Sequence, residues 1–294
     1  KGEEMAATFG IDFGTTNSSI SIVAMDHETG KPAPHSLLNR GKPHPSVVWY
    51  HGTDPVVGQR AKERMSDIGL GVFGDIVRSP KMFLGSPAGI NVGGVVRKAS
   101  DIVADILRFL REEAVKTSFR ANPFKSAVIT IPVNMRGEAR AELRVAALKA
   151  GMEIHQFIHE PLAALYAYFR RSEDFRRTIS SLEKRVFLVF DWGGGTLDLT
   201  LCQMRNGVLM QIANAGDPDV GGDSFDLRLL RLAKEKHSQK YPNVDWTLMQ
   251  PTAESRLIQA CEDAKIRLSE HDGATLDLTD ILAVSGPEKD MLNV

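Results

Sequence analysis

Apolar positions along the chain recur with two different periods, and the switches between them map its elements. Alternating apolar and β-branched residues predict strand hairpins over 8–24 and 186–202. The same pattern predicts strands at Val47–Tyr50, Ala127–Ile131, Glu153–Ile158, Val208–Ala215 and Ala274–Leu278. Apolar residues three and four apart predict helices over 60–68, 100–119, 136–150, 161–169, 224–240 and 252–269. In the second of these, Ile102, Ile106, Phe109, Leu110 and Val115 carry the repeat, and Ser100 stands at the N-cap position. Residues 31–58, rich in Pro, Gly and His, show one clear strand at Val47–Tyr50, and 85–97 reads as a glycine-rich loop with a short hairpin. The charged stretch Arg170–Arg185 divides the chain; its cations (Arg170, Arg171, Arg176, Arg177, Lys184, Arg185) read as a solvated connector. The last dozen residues read as a frayed end. Strands interleaved with helices put the chain in the α/β class.

The two hairpins echo one another. Residues 8–24 read TFGIDFGTTNSSISIVA and residues 186–202 read VFLVFDWGGGTLDLTLC. A repeat at this spacing points to duplicated domains, not to a solenoid built from units of about 20–50 residues. Each hairpin carries an acid, Asp12 or Asp191, into a turn of glycines and threonines. Glycine lets backbone approach a ligand, and successive N–H groups with hydroxyls can wrap a phosphate chain. The carboxylates repel phosphate, so the pair makes sense with a divalent cation between them. Three consecutive glycines, Gly193 to Gly195, cost about 0.5–1 kcal/mol each against alanine in regular structure, which fits a turn where a ligand touches backbone. No G-x-x-x-x-G-K-[ST] loop is present, and no G-x-G-x-x-G follows a strand.

Charge and cysteine content narrow the setting. The 36 basic and 37 acidic residues leave a net charge of −1, which gives no long-range attraction to nucleic acid or an anionic membrane. No apolar run reaches membrane-spanning length, and Cys202 and Cys261 lack CxxC partners, so a soluble cytoplasmic protein with two reduced, buried thiols is expected. His155 and His159 flank Glu160 like a metal box, but on a strand residues four apart stand about 13 Å apart, which argues against shared ligation. Glu262 and Lys265, three apart on a helix, also suit an ordinary surface ion pair of a few tenths of a kcal/mol.

GIDFGTTNS and FDWGGGTLDLTL resemble the two phosphate motifs of the actin, sugar-kinase and heat-shock chaperone superfamily. PSVVWY with VGQRAKE, then SPKMFLG, VITIPVNMRGEAR, HEPLAALYAY, GDPDVGGDSFD and ACEDAKIRLS narrow the resemblance to DnaK-type heat-shock chaperones of the 70-kDa class. The resemblance covers residue 8 to about 280 and implies an actin-like ATPase (ribonuclease H-like, duplicated) fold with two lobes around a nucleotide cleft. It divides the chain into a first lobe at 1–180, with a reduced inserted subdomain at about 39–100, and a partial second lobe at 181–294. It implies ATP or ADP with Mg²⁺ and K⁺ as ligands, slow hydrolysis that drives conformational switching, and co-chaperone or nucleotide-exchange partners. Asp12 and Asp191 match the metal-holding acids. Gly14, Thr15, Thr16 and Asn17 match the first phosphate loop, and Gly193, Gly194, Gly195 and Thr196 the second, with Gly222 beside it. Lys81 matches the lysine reaching the γ-phosphate, Glu160 the carboxylate by the metal's water shell, and Asp198 a second acid near the attacking water. Pro132 and Arg140 match a relay pair, and Glu262, Lys265 and Ser269 fall where the family touches ribose and adenine.

Three departures stand out. The segment between Lys81 and Ser100 is short, Ile266 replaces an adenine-stacking arginine with Arg267 one position late, and the late GGxxxxP-type adenosine loop and the peptide-binding domain have no counterpart. The second lobe is therefore expected to be incomplete. Besides an ATPase, the sequence leaves open a non-catalytic nucleotide- or partner-binding module, an actin-like filament protein and a small-molecule kinase.

Overall fold

The computed structural model of the chain describes residues 8–25, 30, 32–52, 54–67, 73–116, 125–217, 219–249, 253–276 and 281. The first hairpin forms as β1 (Thr8–Phe13) and β2 (Asn17–Met25). Phe9, Ile11 and Phe13 alternate into the core with Ile20 and Ile22, so the period of two turns Gly10 and Asp12 to the opposite face. Four strands occupy the stretch in which the sequence shows one: β3 (Pro32–Leu37), β4 (His44–Pro45), β5 (Val47–Tyr50) and β6 (Pro55–Val57). The prolines that hide β3 are tolerated because it is the edge of its sheet, where one row of amides needs no partner. Then follow α1 (Gln59–Asp67), β7 (Ile76–Arg78), and the hairpin β8 (Ile90–Val92) and β9 (Val95–Arg97). That hairpin turns at Gly93 and Gly94, both at positive φ, as a two-residue primed turn requires.

Helix α2 (Ala99–Lys116) leads to β10 (Ser126–Ile131), α3 (Gly137–Lys149) and β11 (Glu153–His159). The expected continuation of α2 over 117–119 lies outside the described residues. Ser100 is not the cap: the helix already includes Ala99, and Glu142 of α3 accepts hydrogen bonds from Ser100 N (3.2 Å) and Gly85 N (2.7 Å). A charged acceptor on a neighbouring helix outcompetes the hydroxyl at this helix start. Strands β11, β10 and β1 run parallel, and β1, β2 and β3 antiparallel. Ile102, Ile106, Leu107 and Leu110 of α2, with Leu143 and Ala146 of α3, pack against the buried alternate positions of that sheet.

Helix α4 (Glu160–Arg170) starts directly where β11 ends, with Pro161 in its first turn as expected. Within the charged stretch a short helix forms, α5 (Phe175–Ser181), capped by Asp174, which accepts from Arg177 N at 3.0 Å. The second hairpin, β12 (Val186–Trp192) and β13 (Leu197–Arg205), is extended antiparallel by β14 (Val208–Asp217). Helices α6 (Gly222–Lys240) and α7 (Ala253–Arg267) share a second core around Leu230, Ala233, Leu257 and Cys261. Residues 274–276 of the strand expected at Ala274–Leu278 are not in a strand, and 277–278 lie outside the described residues, as does the end read as frayed.

Leu107 is fully buried and Leu148 exposed on α3. Leu107→Ala is expected to cost about 2–5 kcal/mol, the usual range for a methylene cavity, and Leu148→Ala under about 0.5 kcal/mol. Urea midpoints at unchanged slope test the contrast.

Candidate functional site

Both glycine turns open onto one cleft of about 970 Å³, lined by Asp12, Gly14 to Asn17, Lys81, Glu160, Asp191, Gly193 to Thr196 and Asp198. Each side chain arrives at the end of a regular element. Asp12 stands near the end of β1, and Asp191 near the end of β12, directly opposite Asp198 in the β12–β13 register. Glu160 opens α4, and Lys81 lies on a single 3₁₀ turn, Pro80–Phe83.

Lys81 is buried, not the surface lysine that its residue type suggests; its Nζ donates to Glu160 Oε1 at 2.7 Å and lies 5.8 Å from the Phe13 ring centre. Thr130 Oγ1 donates to Asp12 Oδ1 at 2.6 Å, and Thr196 Oγ1 to Asp198 Oδ2 at 3.0 Å. Burial pushes the Glu160 carboxyl above the ordinary range, Lys81 pulls it back, and Asp12 and Asp191 push it further up. Asp191 is likewise raised, by burial first and then by Asp198 and Asp12. One ammonium is thus set against four carboxylates, an imbalance that favours a cation.

The turns themselves touch. A Cβ on Gly194 would overlap Thr16 Oγ1, and one on Gly195 would stand 3.2 Å from Thr15 Cγ2. Glycine at 194 is therefore demanded by the facing hairpin, and not only by a ligand as the sequence suggests. Thr16 Oγ1 is buried with no hydrogen-bond partner among the described residues, and neither Gly194 N nor Gly195 N has one. Orphan donors beside clustered carboxylates are the set that a phosphate chain with its cation would satisfy. Among the described residues no three His, Cys, Asp or Glu side chains converge closely enough to ligate an ion directly.

Other expected residues lie elsewhere. Pro132 lines the cleft; Met135 N donates to its carbonyl at 3.2 Å, and Arg140 Nε donates to the Met135 carbonyl at 3.0 Å. Gly222, Glu262, Lys265 and Ser269 are not among the cleft-lining residues. Glu262 and Lys265 do not pair with each other, because each has a partner on another element. Lys62 Nζ of α1 reaches Glu262 Oε1 at 3.0 Å, with Arg78 at 3.9 Å, while Lys265 Nζ reaches Asp226 Oδ1 at 2.7 Å. Burial pushes Glu262 up, but Lys62 and Arg78 outweigh it and hold the carboxyl below its usual value. Ile266 is 56% exposed, and Arg267 and Ser269 are exposed. His155 and His159 share β11, and His159 Nδ1 faces Gln211 Oε1 at 3.0 Å. Thr130, Lys62, Arg78 and Asp226 were not among the expected site residues; Thr130 stands as a polar position at the apolar end of its strand, and Lys62 and Asp226 lie within the quoted motifs VGQRAKE and GDPDVGGDSFD.

A family profile described as Hsp70 protein matches residues 86–291. The chain belongs to the Hsp70 family. That span holds Glu160, the second hairpin and α7; the first hairpin and Lys81 precede it. The chain is 33% identical over 269 residues to "Chaperone protein DnaK" of Metamycoplasma hominis, covering 92% of this chain and 42% of that protein. It is 32% identical to "Chaperone protein dnaK1" of Synechocystis sp., covering 97% and 42%, and 33% identical to "Chaperone protein DnaK" of Deinococcus radiodurans, covering 93% and 44%. The chain thus spans less than half the length of these curated relatives. Hsp70 membership brings the actin-like ATPase fold, which the mixed α/β arrangement fits. No helix among the described residues is long and apolar enough to cross a membrane.

Two expectations follow from the geometry. Gly194→Ala should destabilise the chain by about 1–3 kcal/mol through overpacking. Thr16→Ala should recover part of that, and a double-mutant cycle in urea should show coupling above about 0.5 kcal/mol. Additivity would mean that the turns do not touch. Because the folded values of Glu160 and Asp191 are raised, the folded chain binds protons that the unfolded chain has lost, and these groups weaken stability as pH rises through their folded values. Asp191→Asn should therefore stabilise the ligand-free chain at pH 7.5 and lose that advantage near pH 4. Melting curves at both pH values decide it, and a variant less stable than wild type at pH 7.5 would contradict the sign.

Proposed function

We propose that this chain is the nucleotide-binding part of an Hsp70-type chaperone, which binds Mg·ATP and hydrolyses it slowly to drive conformational switching. The observation that carries this reading is the Lys81–Glu160 pair, set with Asp12, Asp191 and Asp198 between two orphan-donor glycine turns. The division into a first lobe at 1–180, bearing an inserted subdomain at about 39–100, and a partial second lobe at 181–294 belongs to the same reading, as do a cytoplasmic setting and co-chaperone or nucleotide-exchange partners.

In this account the Thr15 and Thr16 hydroxyls and the Gly194 and Gly195 amides hold the phosphate chain. Lys81 places positive charge where the γ-phosphate oxygens gather it, and Glu160, Thr196 and Asp198 orient the attacking water. Glu160 receives the water's proton more readily for its raised carboxyl value. Asp12 and Asp191 would hold Mg²⁺, with K⁺ as a further cation, and these ions would supply the remaining charge neutralisation. A second reading, a module that binds without turnover, is favoured by the position of Glu262, Lys265 and Ser269 outside the cleft lining.

Phosphate release from ATP separates the two. Lys81→Ala, checked for a native melting profile, should lower the hydrolysis rate by about 10²–10³-fold, the usual loss for one such donor, while keeping Mg·ATP binding within a few-fold. Equal loss of rate and binding would make Lys81 a phosphate anchor. No turnover in the wild type, with binding intact, would favour the second reading.

A further inference from the structure

Behind the second glycine turn stands a chain of contacts that reaches no ligand. Gly222 N and Asp223 N, the first amides of α6, donate to Gly193 O at 3.1 Å and Gly194 O at 2.7 Å. In a trans peptide the N–H points opposite to the C=O. Tying these two carbonyls to α6 therefore turns the N–H groups of Gly194 and Gly195 away from α6, and these are the amides that lack partners. The contact is tight: a Cβ on Gly221 would overlap the Gly194 carbonyl. Ser224 Oγ closes the helix start, accepting from Gly221 N at 3.2 Å and donating to Gly221 O at 2.8 Å.

What fixes this helix start is an ion pair from α7. Lys265 Nζ donates to Gly222 O at 3.0 Å and pairs with Asp226 Oδ1 at 2.7 Å. The Asp226 side chain is 2% exposed, on the α6 turn that follows Gly222. Removing the ammonium would leave a buried carboxylate without its counter-charge, and the first turn of α6 would have to move to reach water.

We propose that Lys265 and Asp226 act as one positioning unit, which sets the direction of the Gly194 and Gly195 amides through the first turn of α6. The inference rests on the reading of that turn as a phosphate grip. It gives Lys265 a role besides the ribose or adenine contact that the family resemblance implies: Asp226 and Gly222 engage two of the ammonium's three N–H groups.

Tripolyphosphate with Mg²⁺ provides the test, since it has the phosphate chain and no nucleoside. Calorimetry on the chain should show Lys265→Met and Asp226→Asn each weakening tripolyphosphate about tenfold, by analogy with the low end of the loss for partners that orient metal ligands, and ATP by at least that factor. The double variant should be no worse than either single, and ¹⁵N amide signals of Gly194 and Gly195 should shift while those of Gly93 and Gly94 stay. ATP weakened with tripolyphosphate unchanged would overturn the proposal and return Lys265 to the nucleoside. A wild-type chain that binds neither probe would refute the phosphate reading, and unmoved Gly194 and Gly195 signals in the variants would then refute the positioning role separately. If Lys265→Met fails to fold, Asp226→Asn, which keeps the volume and one acceptor, carries the same comparison.

Discussion

Four carboxylates and one ammonium meet at the base of the cleft, and the arrangement is electrostatically incomplete. Asp12, Glu160, Asp191 and Asp198 line a site whose cations, among the described residues, are Lys81 and Arg136, and Asp191 faces Asp198 directly across a strand pair. Like charges opposite one another on adjacent strands destabilise a sheet. Burial first, and then neighbouring carboxylates, hold the Glu160 and Asp191 carboxyls above the ordinary range, with Asp198 acting on Asp191. Regular elements bring the groups together: strand β1 carries Asp12, the start of α4 carries Glu160, and the β12–β13 hairpin carries Asp191 and Asp198. In the proposed reading, a cation bound with a phosphate chain would complete the charge, and Thr16 Oγ1, Gly194 N and Gly195 N would hydrogen-bond the phosphates.

The two glycine turns supply the second constraint. A Cβ at residue 194 would overlap Thr16 of the facing hairpin, and one at residue 221, at the start of α6, would overlap the Gly194 carbonyl. The same glycines that expose amides to the cleft therefore also fix the distance between the hairpins. Away from the turns, Lys62 of α1 and Arg78 of β7 hold Glu262 of α7, which ties the earlier and later parts of the chain at a second place.

Much of this was legible in the sequence for a physical reason. Period-two alternation in β1, β2 and β10 and helical spacing in α2 are local signals that core burial enforces, and the acid-plus-glycine turns advertise themselves by composition. The edge strand β3 was not legible, because its prolines break a pattern that only its edge position permits. Nor was the cap of α2, which comes from Glu142 rather than the adjacent Ser100. Lys81 could be placed only through the motif that surrounds it, since its burial depends on Glu160, far away in sequence. Glu262 and Lys265 looked like each other's partners because helical spacing says nothing of what a neighbouring helix offers; each turned instead to α1 or α6.

The nucleoside side of the cleft is the sparser half. Ile266 points outward, Ser269 is exposed, and neither Glu262 nor Lys265 is among the cleft-lining residues. The account therefore places most of the binding on phosphate and cation. Titration calorimetry of the chain with ATP and ADP, each with Mg²⁺ and with chelator, tests this most directly. The account predicts binding of both nucleotides that weakens sharply when the cation is removed. Binding indifferent to Mg²⁺, or no heat with either nucleotide, would contradict it.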